Sequence, residues 1–179
     1  MRLGGGKNIV LSGFMGTGKT KVGRTVAKLA GMAFIDVDAE IETRSGMSIP
    51  DLFTAFGEPE FRRRETETIR DISAHHQVVI ATGGGAVINP ENVSLLKQNG
   101  VIVCLTATIG TILKRVGASG NRPLLKGGNP EQRIRELLTT RQPFYEQADI
   151  MVKTDGKSPR TVAVEILERV AAWDALGKG

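Results

Sequence analysis

Lys19 and Thr20 close the stretch GFMGTGKT (Gly13–Thr20), which matches the pattern G-x-x-x-x-G-K-[ST] at every position. Glycines let the backbone curl so that successive N–H groups point inward, and a helix starting at the lysine adds partial positive charge; the result is a nest for a polyphosphate. Gly13, Gly16, Thr17, Gly18, Lys19 and Thr20 are therefore the candidate nucleotide-binding residues. Lys19 would reach the β and γ phosphates as a point charge, and the Thr20 hydroxyl would be one ligand of Mg²⁺. The rival is a glycine-rich turn without a ligand. Asp36 and Asp38 carry the next chemistry. Two apart on an extended segment, they would face one side at a strand's carboxyl end, where open α/β sheets bind ligands. Phosphoryl transfer needs a metal held and a hydroxyl oriented by a base. An acidic turn capping a helix from Ala39 is an equal alternative.

The remaining chemistry lies on arginines and glycines. Arg62, Arg63 and Arg64 on a helix fan over about 200 degrees, so they cannot share one pocket. Most of the triplet reads as solvated surface paired with nearby glutamates, while one arginine can grip a carboxylate with its planar fork. Gly83–Gly84–Gly85 leaves room for a ligand to approach the backbone, a plain strand-to-helix turn being the alternative. GASGNRPLLKGGN (117–129) reads as a flap whose Arg122 and Lys126 could swing over phosphates, with an ordinary basic loop as its rival.

The elements that must position these groups alternate between strand and helix. Buried strands are expected at Ile9–Leu11 and Met32–Ile35, and further strands at Gln77–Ala81, Val101–Thr106 and Ile150–Val152. Between them, helices are expected from Lys21 to a C-cap at Gly31, from Ser48-Ile49-Pro50 with Leu52, Phe53 and Phe56 as its apolar side, and separately from Glu58-Pro59. Further helices follow from Asn89-Pro90, over Thr108–Val116, over Pro130–Gln147 with Pro143 kinking or ending it, and from Ser158-Pro159 with a stripe of Val162, Ile166, Val170 and Trp173. Strand and helix in alternation predict an α/β fold, a parallel sheet covered on both faces.

With 179 residues, 40% of them hydrophobic, one domain is expected over residues 1–179. The net charge of +5 favours anionic partners, and a single Tyr and a single Trp leave few platforms for stacking nucleic-acid bases, so small anionic substrates are favoured over nucleic acid. Cys104, in an apolar run, reads as a small buried hydrophobe, and His75 and His76 as exposed. There is no long apolar span, and Arg2–Lys7 is too polar for an export signal and is expected to fray; no membrane association and a cytoplasmic location are expected.

No N-K-x-D for guanine follows the loop, and no L-S-G-G-Q of transporter ATPases appears. Across nearly its whole length the chain resembles the shikimate kinase family, within the nucleoside-monophosphate-kinase-like group. The resemblance rests on six motifs in family order: the phosphate loop, DVD (Asp36–Asp38), EFRRRE (Glu60–Glu65), GGG (Gly83–Gly85), NRPLL (121–125) and RQPFY (Arg141–Tyr145). It implies a P-loop kinase fold with a five-stranded parallel sheet, a substrate-binding region at about 38–73 and a mobile lid at about 117–128. It also implies ATP-dependent, Mg²⁺-assisted phosphorylation of the shikimate 3-hydroxyl, on the route to chorismate and the aromatic amino acids, by a monomer.

By the same resemblance Asp38 would contact the substrate hydroxyl as base and Asp36 would hold Mg²⁺ through water with Thr20. Arg62 and Arg141 would grip the carboxylate, with Glu65 orienting Arg62. Gly84 and Gly85 would face the ring hydroxyls, with Phe53 and Phe61 lining the pocket. Lys19 and the lid residue Arg122 would stabilise the transferring phosphoryl group, and Arg115 and Pro159 would lie beside adenine. The strand ending at Thr82 lacks the usual Walker B aspartate, a role that the DVD acids and the glycine turn are expected to cover. A gluconate kinase of the same architecture and a nucleotide-binding switch are the competing readings.

Overall fold

A computed structural model describes residues 6–117 and 129–177. Five strands form one parallel sheet in the order β2-β3-β1-β4-β5: β1 Asn8–Gly13, β2 Ala33–Asp36, β3 Val78–Ala81, β4 Gly100–Thr106 and β5 Ile150–Lys153. The first half of the chain builds the sheet to one side of β1 and the second half to the other. The carboxyl end of β1, where the phosphate loop starts, is thus the switch point at which ligands bind in such sheets.

Side chains alternate across the pleat, and both faces are apolar because both are covered. Ile9, Leu11, Val101, Val103 and Leu105 pack against Val22 and Val26 of α1 (Lys19–Ala30) and against Val162, Ile166 and Val170 of α7 (Pro159–Ala175). Val10, Ile80 and Ile102 face Ile41 of α2 (Val37–Ser45), Leu52, Ile69 and Ile72 of α3 (Ile49–Ser73) and Leu96 of α4 (Pro90–Gln98). A third cluster caps the carboxyl end of the sheet. In it Phe14, Met15, Cys104 and Tyr145 meet Ile112 of α5 (Ile109–Gly117) and Ile134 of α6 (Pro130–Tyr145). Burial pushes the Cys104 thiol up to about 11, as suits the inert apolar role expected of it.

Helix starts follow the sequence signals closely. Ser48, Asn89, Asn129 and Ser158 each accept a backbone N–H with the side chain and are followed by proline in the first turn, and Gly31 adopts the left-handed C-cap. Four expectations change. β2 lies at the sheet edge and is only partly covered, whereas a buried strand was expected. The two helices expected around residues 48–73 form one run, broken inside by Gly57 at φ 78 and ψ 173. Phe56 is 53% exposed and lies beneath the Arg64 guanidinium rather than on the apolar face, whereas Trp173, partly buried, packs against the core as its stripe predicts. Helix α6 passes Pro143 and ends two residues later, at Tyr145, because within the last turn the missing N–H removes a single bond. The lid motif with Arg122 and Lys126, and residues 1–5 of the terminus expected to fray, lie outside the described residues.

Candidate active site

The loop between β1 and α1 curls through three glycines at positive φ: Gly13 at 129, Gly16 at 76 and Gly18 at 96. Gly13 is also constrained sterically, because a Cβ there would stand 2.3 Å from the Leu105 carbonyl oxygen of the neighbouring strand. Thr17 closes the turn, its hydroxyl donating to Phe14 O at 2.8 Å. Lys19 Nζ folds over the loop and donates to Gly13 O at 2.7 Å and Phe14 O at 3.0 Å. Those bonds park the ammonium at the mouth of the nest.

The two acids separate by role. Asp36 ends β2 and caps α2, accepting the Ala39 N–H with Oδ1, while Oδ2 accepts the Thr20 hydroxyl at 2.8 Å. Helix α2 begins at Val37, so Asp38 sits in the first turn of a helix. The extended pair facing one side, predicted from spacing, is not what forms; the capping alternative describes Asp36, with the helix two residues earlier than Ala39. Asp38 nevertheless turns inward. Its Oδ1 is sealed from solvent with no hydrogen-bond partner among the described residues. Burial raises its pKa above the usual aspartate range and the Asp36 charge adds to this, against the opposing pull of Lys19 and Arg62.

Gly83 explains why glycine follows Thr82. A Cβ there would stand 2.9 Å from Asp38 Oδ1 and 3.1 Å from Glu65 Oε1, and both oxygens are buried and unpartnered. Buried acceptors left open in this way are few in a folded protein and each calls for an explanation; here the two lie side by side at the glycine turn. Glu65, 1% exposed, holds Arg62 Nη1 at 2.7 Å through its other oxygen. Burial raises the Glu65 pKa while Arg62 pulls it down.

Of the three arginines, Arg62 faces the glycine turn: its Nη2 lies 2.7 Å from where a Gly85 Cβ would be. Arg63 points outward to Glu60 and Glu67, and Arg64 pairs with Glu60 at 2.7 Å. Arg141 approaches the same turn from α6, with Nη1 3.6 Å from the Gly84 Cβ position and its guanidinium 5.9 Å over the Phe14 ring. Phe53 and Phe61 stack at 4.7 Å beside Arg62, whose guanidinium covers the Phe61 ring at 5.1 Å. Two arginines and two open carboxylate oxygens thus surround Gly83–Gly85, with the Phe53–Phe61 pair against Arg62.

A cleft of about 560 Å³ runs from this turn along the phosphate loop to Lys157 and Pro159. Arg115 lines it and ties its walls together, donating to Gly16 O at 3.1 Å, Thr154 Oγ1 at 3.0 Å and Thr154 O at 3.1 Å. Thr154 and Lys157 were not anticipated. No local pattern marks them, but both follow β5 at the carboxyl edge of the sheet, where the topology gathers its loops.

The donor set fits Mg²⁺. Thr20 and Asp36 offer hard oxygens beside the phosphate nest, and no group of three His, Cys, Asp or Glu among the described residues could hold a metal unaided. That is the usual arrangement for an ion shared with nucleotide phosphates and water.

The shikimate kinase family model matches residues 15–171. A shikimate kinase of Thermodesulfovibrio yellowstonii is 51% identical over 162 residues, covering 90% of this chain and 94% of that one. The solved shikimate kinase of Acinetobacter baumannii, in complex with shikimate, superposes with a TM-score of 0.89 at 41% identity over 93% of each chain. A gluconokinase from Sinorhizobium meliloti shares the fold at a TM-score of 0.65 but only 19% identity. Sheet order, phosphate loop and sequence agree: the chain belongs to the shikimate kinase family.

Proposed function

We propose that the protein transfers the γ-phosphoryl group of ATP to the 3-hydroxyl of shikimate, with Mg²⁺, and that the residues around Gly83–Gly85 form its acceptor site. The carrying observation is Asp38 Oδ1, buried and without a partner among the described residues where the phosphate cleft meets the glycine turn. A hydroxyl placed there meets a base on one side and the phosphate nest on the other. Asp38 takes the hydroxyl proton as the oxygen attacks phosphorus in line. Arg62, held by Glu65 and Glu58, and Arg141 grip the carboxylate, while the glycine backbone approaches the ring. Lys19 leaves its loop carbonyls for the transferring phosphoryl group. Thr20 and Asp36 would hold Mg²⁺, which would supply neutralisation of β- and γ-phosphate charge. Arg115 and Pro159 line the same cleft and are the residues we place beside adenine, and Arg122, outside the described residues, is assigned to the transferring phosphoryl group by the family resemblance alone.

A cytoplasmic monomer acting on small molecules is the setting we infer. The lone buried Cys104 suits a reducing compartment, and no helix among the described residues is long and apolar enough to cross a membrane. ADP release assayed with shikimate, gluconate, AMP or no acceptor tests the function: turnover is expected with shikimate alone and abolished by EDTA. Equal release without an acceptor would support a nucleotide switch instead.

A further inference from the structure

Tyr145 ends α6 one turn after Arg141, buried in the cluster beneath the phosphate loop, and its hydroxyl donates to Gly84 O at 2.6 Å. Burial pushes that hydroxyl's pKa up to about 12, so it remains a donor throughout the working pH range. The bond reaches 61 residues along the chain to one peptide of the glycine turn.

That peptide matters because of its other end. No cis bond occurs among the described residues, and in a trans peptide C=O and N–H point in opposite directions. Holding Gly84 O toward Tyr145 therefore aims the Gly85 N–H away from α6. No protein acceptor takes the Gly85 N–H among the described residues. Glycine leaves this peptide free to flip, with no Cβ at either flank to resist rotation. The far end of the turn is pinned separately, by Ala86 N to Gly83 O, Ile88 N to Gly85 O and the buried Asn92 Nδ2 donating to Ala86 O at 2.9 Å. Among the described residues, Tyr145 is the side chain bonded to the remaining peptide.

The geometry points to Tyr145 as a positioning residue for acceptor recognition: its hydroxyl fixes the Gly84–Gly85 peptide so that the Gly85 amide presents its N–H to a ring hydroxyl of the substrate. This rests on the reading of Gly83–Gly85 as the acceptor site. A polyhydroxylated ring gains a preoriented donor, and Arg141 on the same helix keeps register with it.

Tyr145→Phe retains the ring and removes the bond together with the hydroxyl's contact with the Arg141 guanidinium, so the amide and analogue readouts, rather than KM by itself, separate the clamp from a shift of Arg141. In isotope-labelled protein without ligands, the Gly84 and Gly85 amide resonances should shift while those of Gly16 and Gly18 stay in place; unmoved Gly84 and Gly85 signals would overturn the clamp, whatever the substrate proves to be. In turnover, the shikimate KM should rise about 3- to 10-fold, the worth of one hydrogen bond, with the ATP KM within about twofold of the parent. With 4-deoxy- and 5-deoxyshikimate, one analogue should show no such penalty, because its missing hydroxyl is the one the amide meets. An unchanged shikimate KM, equal losses for both substrates or a penalty persisting with both analogues would reduce Tyr145 to core packing. Absence of any shikimate turnover in the parent protein would count against the functional reading, and the amide shifts would then decide the clamp by themselves.

Discussion

Asp38 is held where a carboxylate is least comfortable, buried with a sealed oxygen and beside Asp36. Asp38→Asn is expected to cut turnover at least ~100-fold, the low end for loss of a general base, while calorimetry finds ATP affinity unchanged. The same substitution should raise the melting temperature at pH 7. A carboxyl whose folded pKa lies above its unfolded value contributes stability below the unfolded value, and this is lost as pH rises through the folded one. Asparagine mimics the protonated form, so its advantage should be present at neutral pH and vanish below the ordinary aspartate value of 3.8. Melts at pH 7 and pH 3 test this. Arg62 differs because its fork is oriented by Glu65 and Glu58 before any substrate arrives. Arg62→Ala should weaken shikimate binding at least ~10-fold with ATP affinity unchanged, within the range for a charge-assisted hydrogen bond. Equal shikimate affinity by calorimetry would remove Arg62 from carboxylate binding.

At the scale of elements, α3 acts as a bent arm. Gly57 breaks it at φ 78 and ψ 173, a conformation open essentially to glycine alone, and the bend lets Phe53 before it stack on Phe61 after it. A Cβ at Gly57 would meet only Pro59 Cδ at 3.7 Å, so the obstacle is backbone strain rather than crowding. Gly57→Ala should cost about 1–3 kcal/mol in thermal or denaturant melts and raise the shikimate KM, because Phe61 and Arg62 move with the bend, while the ATP KM holds. Cap and proline pairs made most helix starts visible in the sequence, since their hydrogen bonds close within three residues. The α3 run was less visible: Glu58-Pro59 is a sound start signal, yet Gly57 absorbs the break without ending the helical run.

For the whole molecule, a net charge of +5 surrounds a cleft built for polyanions. Raising ionic strength from about 0.1 M to about 1 M shortens the Debye length from about 10 Å to about 3 Å, and kcat/KM for ATP should fall several-fold, with sucrose as a control without charge. Salt-independent kinetics would show that local contacts alone capture ATP. The five-stranded topology also explains how distant motifs meet. Parallel strands place successive loops at one edge, so residues after β1, β2, β3 and β5 converge along one cleft.

The sequence alone determined the phosphate loop, the alternation of strand and helix, and the membership of Asp38, Arg62, Gly83–Gly85 and Arg141 in one set. Each of these is written in local spacing or in motifs short enough to survive as strings. Tertiary structure decided what depends on long-range neighbours. It drew Asp38 onto a helix and sealed its oxygen, turned Arg62 onto Gly85 with Glu65 and Glu58 behind it, and brought Thr154 and Lys157 to the cleft. It also set Tyr145 against Gly84, a bond spanning 61 residues. Burial and hydrogen bonds across such separations arise only when the sheet assembles, so no window of sequence contains them.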